Sequence, residues 1–180
     1  MYYLQEAKKL GFDVIVHADQ FTTGGSEVAV AIGAVSADHL EVSTDREISL
    51  LARSEVIPVS LPGASIGLGC SFSPARRILD AGCSLAVASD WNPGSAPMGD
   101  ILLQACILGV YEHLTMAETL ASVTYRAAAA LRLKDRGTLS KGNLADIIAF
   151  PVDDYRDIVY HQGKLKPDIV MKRGKLVHQP

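Results

Sequence analysis

The stretch Ser84-Leu-Ala-Val-Ala-Ser-Asp90-Trp-Asn-Pro-Gly94-Ser95 decides how the rest of the chain is read. An apolar run that ends abruptly on a carboxylate and turns into a Gly/Pro loop has the form of a strand delivering a reactive group. Strand side chains alternate, so Ala86, Ala88 and Asp90 share one face and Leu85, Val87 and Ser89 the other. Small alanines on the Asp90 face leave room beneath the carboxylate. Two earlier stretches repeat the form, Val14-Ile-Val-His17-Ala-Asp19-Gln20 and Ala37-Asp38-His39-Leu40.

Working outward, strands are expected at 13–17, 37–40, 56–61 and 85–89, with helices at 27–32, 45–54 and 74–81 between them. Ser26 is placed to cap the first of these helices. Thr44, with Glu47 three residues on, makes a capping box for the second, and Ser73 followed by Pro74 opens the third. Pro58 counts against its strand because proline cannot donate to the ladder, yet the Val/Ile context keeps the assignment. The Gly-rich segment 62–71 reads as a loop. Short strands that are apolar on both faces and alternate with helices define an α/β fold with a parallel sheet covered by helices.

The flanks read more simply. Residues 1–10 form a helix with Gly11 just past its end, leading straight into a buried strand as if cut from a longer chain. Helices follow at 98–111 and 115–131, the latter opened by the capping-box pattern Thr115-Met-Ala-Glu118 and carrying a thin Ala127–Ala130 face. A strand at 145–150 and a hairpin at 169–177 around Arg173-Gly174 make a small β unit. The expected division is 1–136 for the α/β body and 137–180 for the β unit.

Composition narrows the function. The 180 residues suit one domain of ordinary size, and 48% hydrophobic content suits a densely packed core. A formal net charge of −3 argues against a nucleic-acid partner, which calls for a basic face. No apolar run reaches the roughly 18 residues of a membrane span, and the acid-bearing amphipathic start resembles neither a secretory signal nor a transit peptide. A cytosolic location is therefore expected. Cys70, Cys83 and Cys106 lack the close pairing of metal or disulfide frameworks and read as free, buried thiols.

Functional groups in parallel α/β folds, above all in βα barrels, gather at the carboxyl ends of strands. His17, His39 and Asp90 occupy that place on the first, second and fourth strands. An imidazole can ligate zinc or iron, and a carboxylate beside the metal can take a proton from bound water, whose pKa the metal brings toward roughly 7. A second histidine can orient a carbonyl or shuttle a proton. Each residue alone has a plainer reading: a strand-end histidine is more often structural, and Asp90 before Trp-Asn-Pro-Gly fits a turn. Asp19 and Asp38 read as loop-holding residues, and His113, His161 and His178 as exposed.

These residues resemble those of a known family. His17-Ala-Asp-Gln-Phe21, Ser36-Ala-Asp-His39-Leu-Glu41, Leu61-Pro-Gly-Ala64 and Ser89-Asp90-Trp-Asn-Pro-Gly94-Ser95 look like successive signatures of the imidazolonepropionases, metal-dependent amidohydrolases of histidine degradation. Gly137-Thr-Leu-Ser-Lys-Gly142-Asn-Leu-Ala-Asp146 resembles the point where many amidohydrolases leave the barrel for a small β-sandwich. The resemblance implies hydrolysis of 4-imidazolone-5-propanoate to N-formimidoyl-L-glutamate, with one divalent metal ion, zinc or iron. It implies His17 and Asp90 as metal ligands, Asp90 as the base and His39 as the group assisting at the ring carbonyl. Gln20, Asn92, Gly94 and Ser95 would contact the substrate, with backbone groups after Pro93 free to approach it. A deaminase or other cyclic-amidine hydrolase, or a non-catalytic α/β module, remains an alternative.

The sequence holds no His-x-His pair, which the family uses for two further metal ligands. The expected architecture is thus the carboxyl-terminal half of a TIM-type (β/α)8 barrel plus part of the small β-sandwich, since a whole barrel takes about 250 residues. Its partners would be a small-molecule substrate and either the missing amino-terminal half or a second copy.

Overall fold

The computed structural model describes residues 1–179. Strands β1 (Ile15–Ala18), β2 (Ser36–His39), β3 (Ile57–Ser60) and β4 (Ala86–Val87) form a parallel sheet in chain order. His17 lies beside Asp38, Asp38 beside Val59, and Val59 beside Ala86. Helices α1 (Tyr2–Lys9), α2 (Gly25–Ile32), α3 (Asp45–Ala52), α4 (Pro62–Leu68) and α5 (Ala75–Asp80) precede or join the strands. The body ends in α6 (Ile101–Tyr111), α7 (Met116–Ser122) and α8 (Tyr125–Ala130). Among the described residues no helix is long and apolar enough to cross a membrane.

Alternation sorts the strand residues into two cores. Val16, Ala18, Ala37, Leu85 and Val87 face the helices and pack with Ile32, Leu51, Ile78 and Leu108. On the opposite face Val59, Leu61 and Ala86 pack with Ala64, Ala96 and Ala130, and Ala88 lies against them. The expected split of Ala86 and Ala88 from Leu85 and Val87 is therefore observed. The alanine face of α8 lets it lie against β3 and β4. Among the described residues nothing equivalent covers β1, where Ile15 is 51% exposed on the His17 face.

Several expectations are corrected. Residues 62–68 are helical, because Pro62 is preset for a first turn and two glycines allow close packing. A Cβ on Gly63 would stand 2.8 Å from the buried Gln104 amide, and one on Gly67 1.8 Å from the Ser95 carbonyl oxygen. Ser26 caps nothing: α2 starts at Gly25 behind left-handed Gly24, and the Ser26 hydroxyl donates to Asp19. Ser73 likewise gives up the cap and pairs with the buried Ser60 hydroxyl, so α5 begins after Pro74. The single helix over 115–131 is two, broken at Val123-Thr124. The Ser122 and Thr124 hydroxyls donate back to the Thr119 and Leu120 carbonyls there, a habit that bends helices.

Pro58 sits in a central strand without loss. The Ile57 N–H donates to the Val35 carbonyl on the β2 side, so the Pro58 nitrogen faces β4, whose ladder begins one residue later at Val59. Both capping boxes form as read, at Thr44/Glu47 and Thr115/Glu118.

Beyond the helices, β5 (Ile147–Ala149), β6 (Ile169–Lys172) and β7 (Lys175–His178) make an antiparallel sheet. Its hairpin turns on left-handed Arg173 and Gly174, at φ 50° and 73°, the geometry that matches strand twist. An unanticipated helix, α9 (Arg156–Tyr160), packs back on α6 and α7 and buries Val159. Residues 137–179 are therefore not purely β.

Candidate active site

The carboxyl ends of β1 and β2 bring His17 and His39 together, and Asp90, just past β4, is near enough to act on the Asp38 carboxyl beside them. His17 and His39 lie with ring centroids 4.3 Å apart and planes inclined by 49°. Strict alternation would not achieve this, because Asp38 pairs with His17 and His39 would then turn toward the helices. The backbone breaks the alternation: His39 and Leu40 have φ of 91° and 73°, a conformation costly for non-glycine residues and concentrated at functional sites. Leu40, fully buried, anchors the kink, and its N–H donates to the Ala18 carbonyl at 2.9 Å.

Asp38, read from sequence as a loop-holding residue, instead stands within the cluster. Its carboxylate accepts the Ser36 hydroxyl at 2.7 Å. Burial pushes the Asp38 carboxyl above its ordinary range; Ser36, His39 and His17 pull it back, and Asp90 pushes it up again. The group thus feels both histidines and the second carboxylate. The signal that could have found it was the pairing of two strand ends in register, not any local motif.

Asp19 does hold its loop. Its two oxygens accept the Gly25 N–H at 2.8 Å, the Ser26 N–H at 3.3 Å, the Ser43 hydroxyl at 2.8 Å and the Ser26 hydroxyl. This ties the end of β1 to the start of α2 and to the segment after β2. Gln20, next in the chain, is buried.

Asp90 follows β4 with φ of 47°, and among the described residues no hydrogen bond reaches its side chain. The loop after it is folded on Asn92. The Asn92 Oδ1 accepts the Gly94 and Ser95 N–H groups at 2.8 and 2.9 Å, and its Nδ2 donates to the Asp90 carbonyl at 2.6 Å. The expectation of free N–H groups at Gly94 and Ser95 is thereby corrected: an Asx turn occupies them. Ser95 is pressed from below by α4 at Gly67, and Gln104 pins the same helix by accepting the Gly63 N–H and donating to the Met98 carbonyl.

The three cysteines are free, as expected, with Cys106 buried and the other two partly so. Burial pushes the Cys83 and Cys106 thiols up, which leaves them poor nucleophiles. His113, His161 and His178 are exposed.

A metal site needs three or four protein donors. Here the candidate donors are His17 and Asp90, and among the described residues no cluster of three or more His, Cys, Asp or Glu side chains is disposed to hold an ion. The donor types fit zinc or iron, but the set is partial.

Residues 3–177 match the amidohydrolase family model, and the chain belongs to the amidohydrolase family. Within that class it is similar to imidazolonepropionases. It is 39% identical to that of Bdellovibrio bacteriovorus over 97% of this chain and 42% of the relative. It is 43% identical to that of Deinococcus deserti over 89% of this chain and 40% of the relative. The chain thus spans about two fifths of the length of these curated relatives. Among solved structures, an adenosine deaminase from Xanthomonas campestris with bound zinc superposes with a TM-score of 0.81 at 22% identity, over 99% of this chain and 49% of that one. A 5-methylcytosine deaminase from Klebsiella pneumoniae gives 0.82 at 21% identity, over 100% and 51%. These likenesses establish the amidohydrolase fold and its partial extent.

Proposed function

We propose that this chain supplies one side of an imidazolonepropionase active site. The observation that supports the reading is the packing of His17 on His39 at adjacent strand ends, with Asp90 near enough to act on the Asp38 carboxyl beside them, in a chain 39% identical to an imidazolonepropionase over 97% of its own length. The reaction is hydrolysis of the ring C–N bond of 4-imidazolone-5-propanoate to N-formimidoyl-L-glutamate. His17 and Asp90 would hold a divalent metal together with ligands from the rest of the polypeptide. When bound, that ion would lower the pKa of a water molecule and so supply the nucleophile.

The chain's own residues would do the rest. Asp90, whose carboxylate has no hydrogen bond among the described residues, takes the proton from the attacking water. His39, packed on His17, relays a proton to the ring carbonyl oxygen. Gln20 and the loop at Asn92, Gly94 and Ser95 line the substrate; with the loop's N–H groups occupied, the Asx turn acts by shape and through the Ser95 hydroxyl. Residues 1–136 form the catalytic α/β portion and the remainder belongs to the small domain.

The test is a chimera in which this chain replaces the matching segment of the Bdellovibrio imidazolonepropionase. The chimera should bind metal and hydrolyse 4-imidazolone-5-propanoate, and its Asp90→Asn form should stay folded without turnover. A folded, metal-loaded chimera that hydrolyses a different cyclic amidine, or an active Asp90→Asn form, would overturn the assignment.

A further inference from the structure

The Glu41 carboxylate is unusually placed for a merely structural group. Its side chain is only 2% exposed. Oε1 accepts the Ser65 hydroxyl at 3.0 Å and lies 3.4 Å from His39 Nδ1, while Oε2 is buried with no partner among the described residues. Burying a carboxylate with an unmatched oxygen is costly. If the fold needed only an acceptor for Ser65, a neutral glutamine would serve at lower cost.

We propose that Glu41 is a positioning residue that fixes the orientation and tautomer of His39, an inference that rests on reading His39 as a group acting at the substrate. Carboxylate oxygens are hydrogen-bond acceptors, and Oε1 is the one beside His39 Nδ1. The imidazole therefore turns Nδ1–H toward Glu41, which leaves Nε2 at the opposite end of the ring to take up a proton and hand it on. That end is the one available to a substrate, because the Nδ1 edge is enclosed by Glu41 and one ring face lies on His17. The kink at His39 and Leu40 turns Glu41 back under the ring, and Ser65 on α4 holds the carboxylate from the next βα unit. A 3.4 Å contact is long, as catalytic hydrogen bonds often are before substrate binds.

The experiment is side-chain nitrogen NMR of the 180-residue chain with labelled histidine, without metal or substrate. His39 is assigned by its loss in His39→Ala. In the unmutated chain His39 should be predominantly the Nδ1–H tautomer. Glu41→Leu, which leaves no acceptor, should reduce that preference roughly tenfold, the value of a hydrogen bond to a charged group. Glu41→Gln should restore it only in part, because Ser65 holds the amide oxygen where the carboxylate oxygen was but a neutral acceptor holds the N–H about half as strongly. An Nε2–H His39 in the unmutated chain, or an unchanged tautomer ratio in Glu41→Leu, would overturn the proposal. No turnover is measured, so failure here is distinct from failure of the hydrolase reading, which the chimera tests.

Discussion

Gly67→Ala tests whether α4 holds the loop that follows Asp90. The new Cβ would stand 1.8 Å from the Ser95 carbonyl oxygen and 2.9 Å from its carbon. Carbon–oxygen contacts settle at about 3.3–3.6 Å, so α4 or the loop must shift by roughly 1.5 Å. Two effects oppose each other. Alanine favours a helix over glycine by about 0.5–1 kcal/mol, while overpacking costs about 1–3 kcal/mol. The obstacle is backbone, held in an Asx turn by Asn92 rather than being a yielding side-chain tip, so the clash wins and the net loss is about 1–2 kcal/mol. With a urea dependence of about 2 kcal/mol per molar, the unfolding midpoint should fall by roughly 0.5–1 M. The single tryptophan, Trp91, lies in this loop with its indole N–H on the Pro97 carbonyl, so the native emission should change as well. An unchanged or higher midpoint with unaltered Trp91 emission would refute the argument that α4 shapes the site.

Other variants probe separate joints. Glu118 receives two parallel bonds from Arg76 at 2.9 and 3.0 Å and closes the α7 capping box, which holds its carboxyl at about 2, below the ordinary 4.5. A depressed carboxylate stabilises above its unfolded value and loses that contribution as pH falls from about 4.5 to about 2. Fully felt this is worth about 3 kcal/mol, and with the pair about a quarter exposed roughly 1–2 kcal/mol. Urea midpoints should therefore separate the parent from Glu118→Gln at pH 6 and converge near pH 2.5. Asp19→Ala strips acceptors from two N–H groups and two hydroxyls and should cost about 2–4 kcal/mol in the same assay. In the chimera, His39→Ala should lower turnover far more than metal content by elemental analysis; metal loss as the main effect would make His39 a ligand.

What was legible in the sequence was local. The Thr44/Glu47 and Thr115/Glu118 boxes, the Arg173-Gly174 hairpin and the two faces of 85–89 each depend on residues within four positions of one another, where spacing alone sets the geometry. Apolar runs that stop on His17, His39 and Asp90 placed them at strand ends, and the family signatures implied their roles. By contrast α4 looked like a loop because glycine disfavours helices, and its glycines are required by contacts with Gln104 and Ser95. Those partners are 41 and 28 positions away.

The sequence by itself determined the alternation of strand and helix, the strand-end chemistry and the missing His-x-His pair. Only the tertiary structure decided that His39 reaches His17 through a left-handed kink, that Asp38 joins the cluster, and that Glu41 backs the ring. It also decided that the Gly94 and Ser95 N–H groups are occupied. The physical reason is that a strand's side-chain direction follows from its own alternation until the backbone departs from it. Departures at positive φ are sustained by buried contacts such as Leu40 and Ser65, which come from elsewhere in the chain.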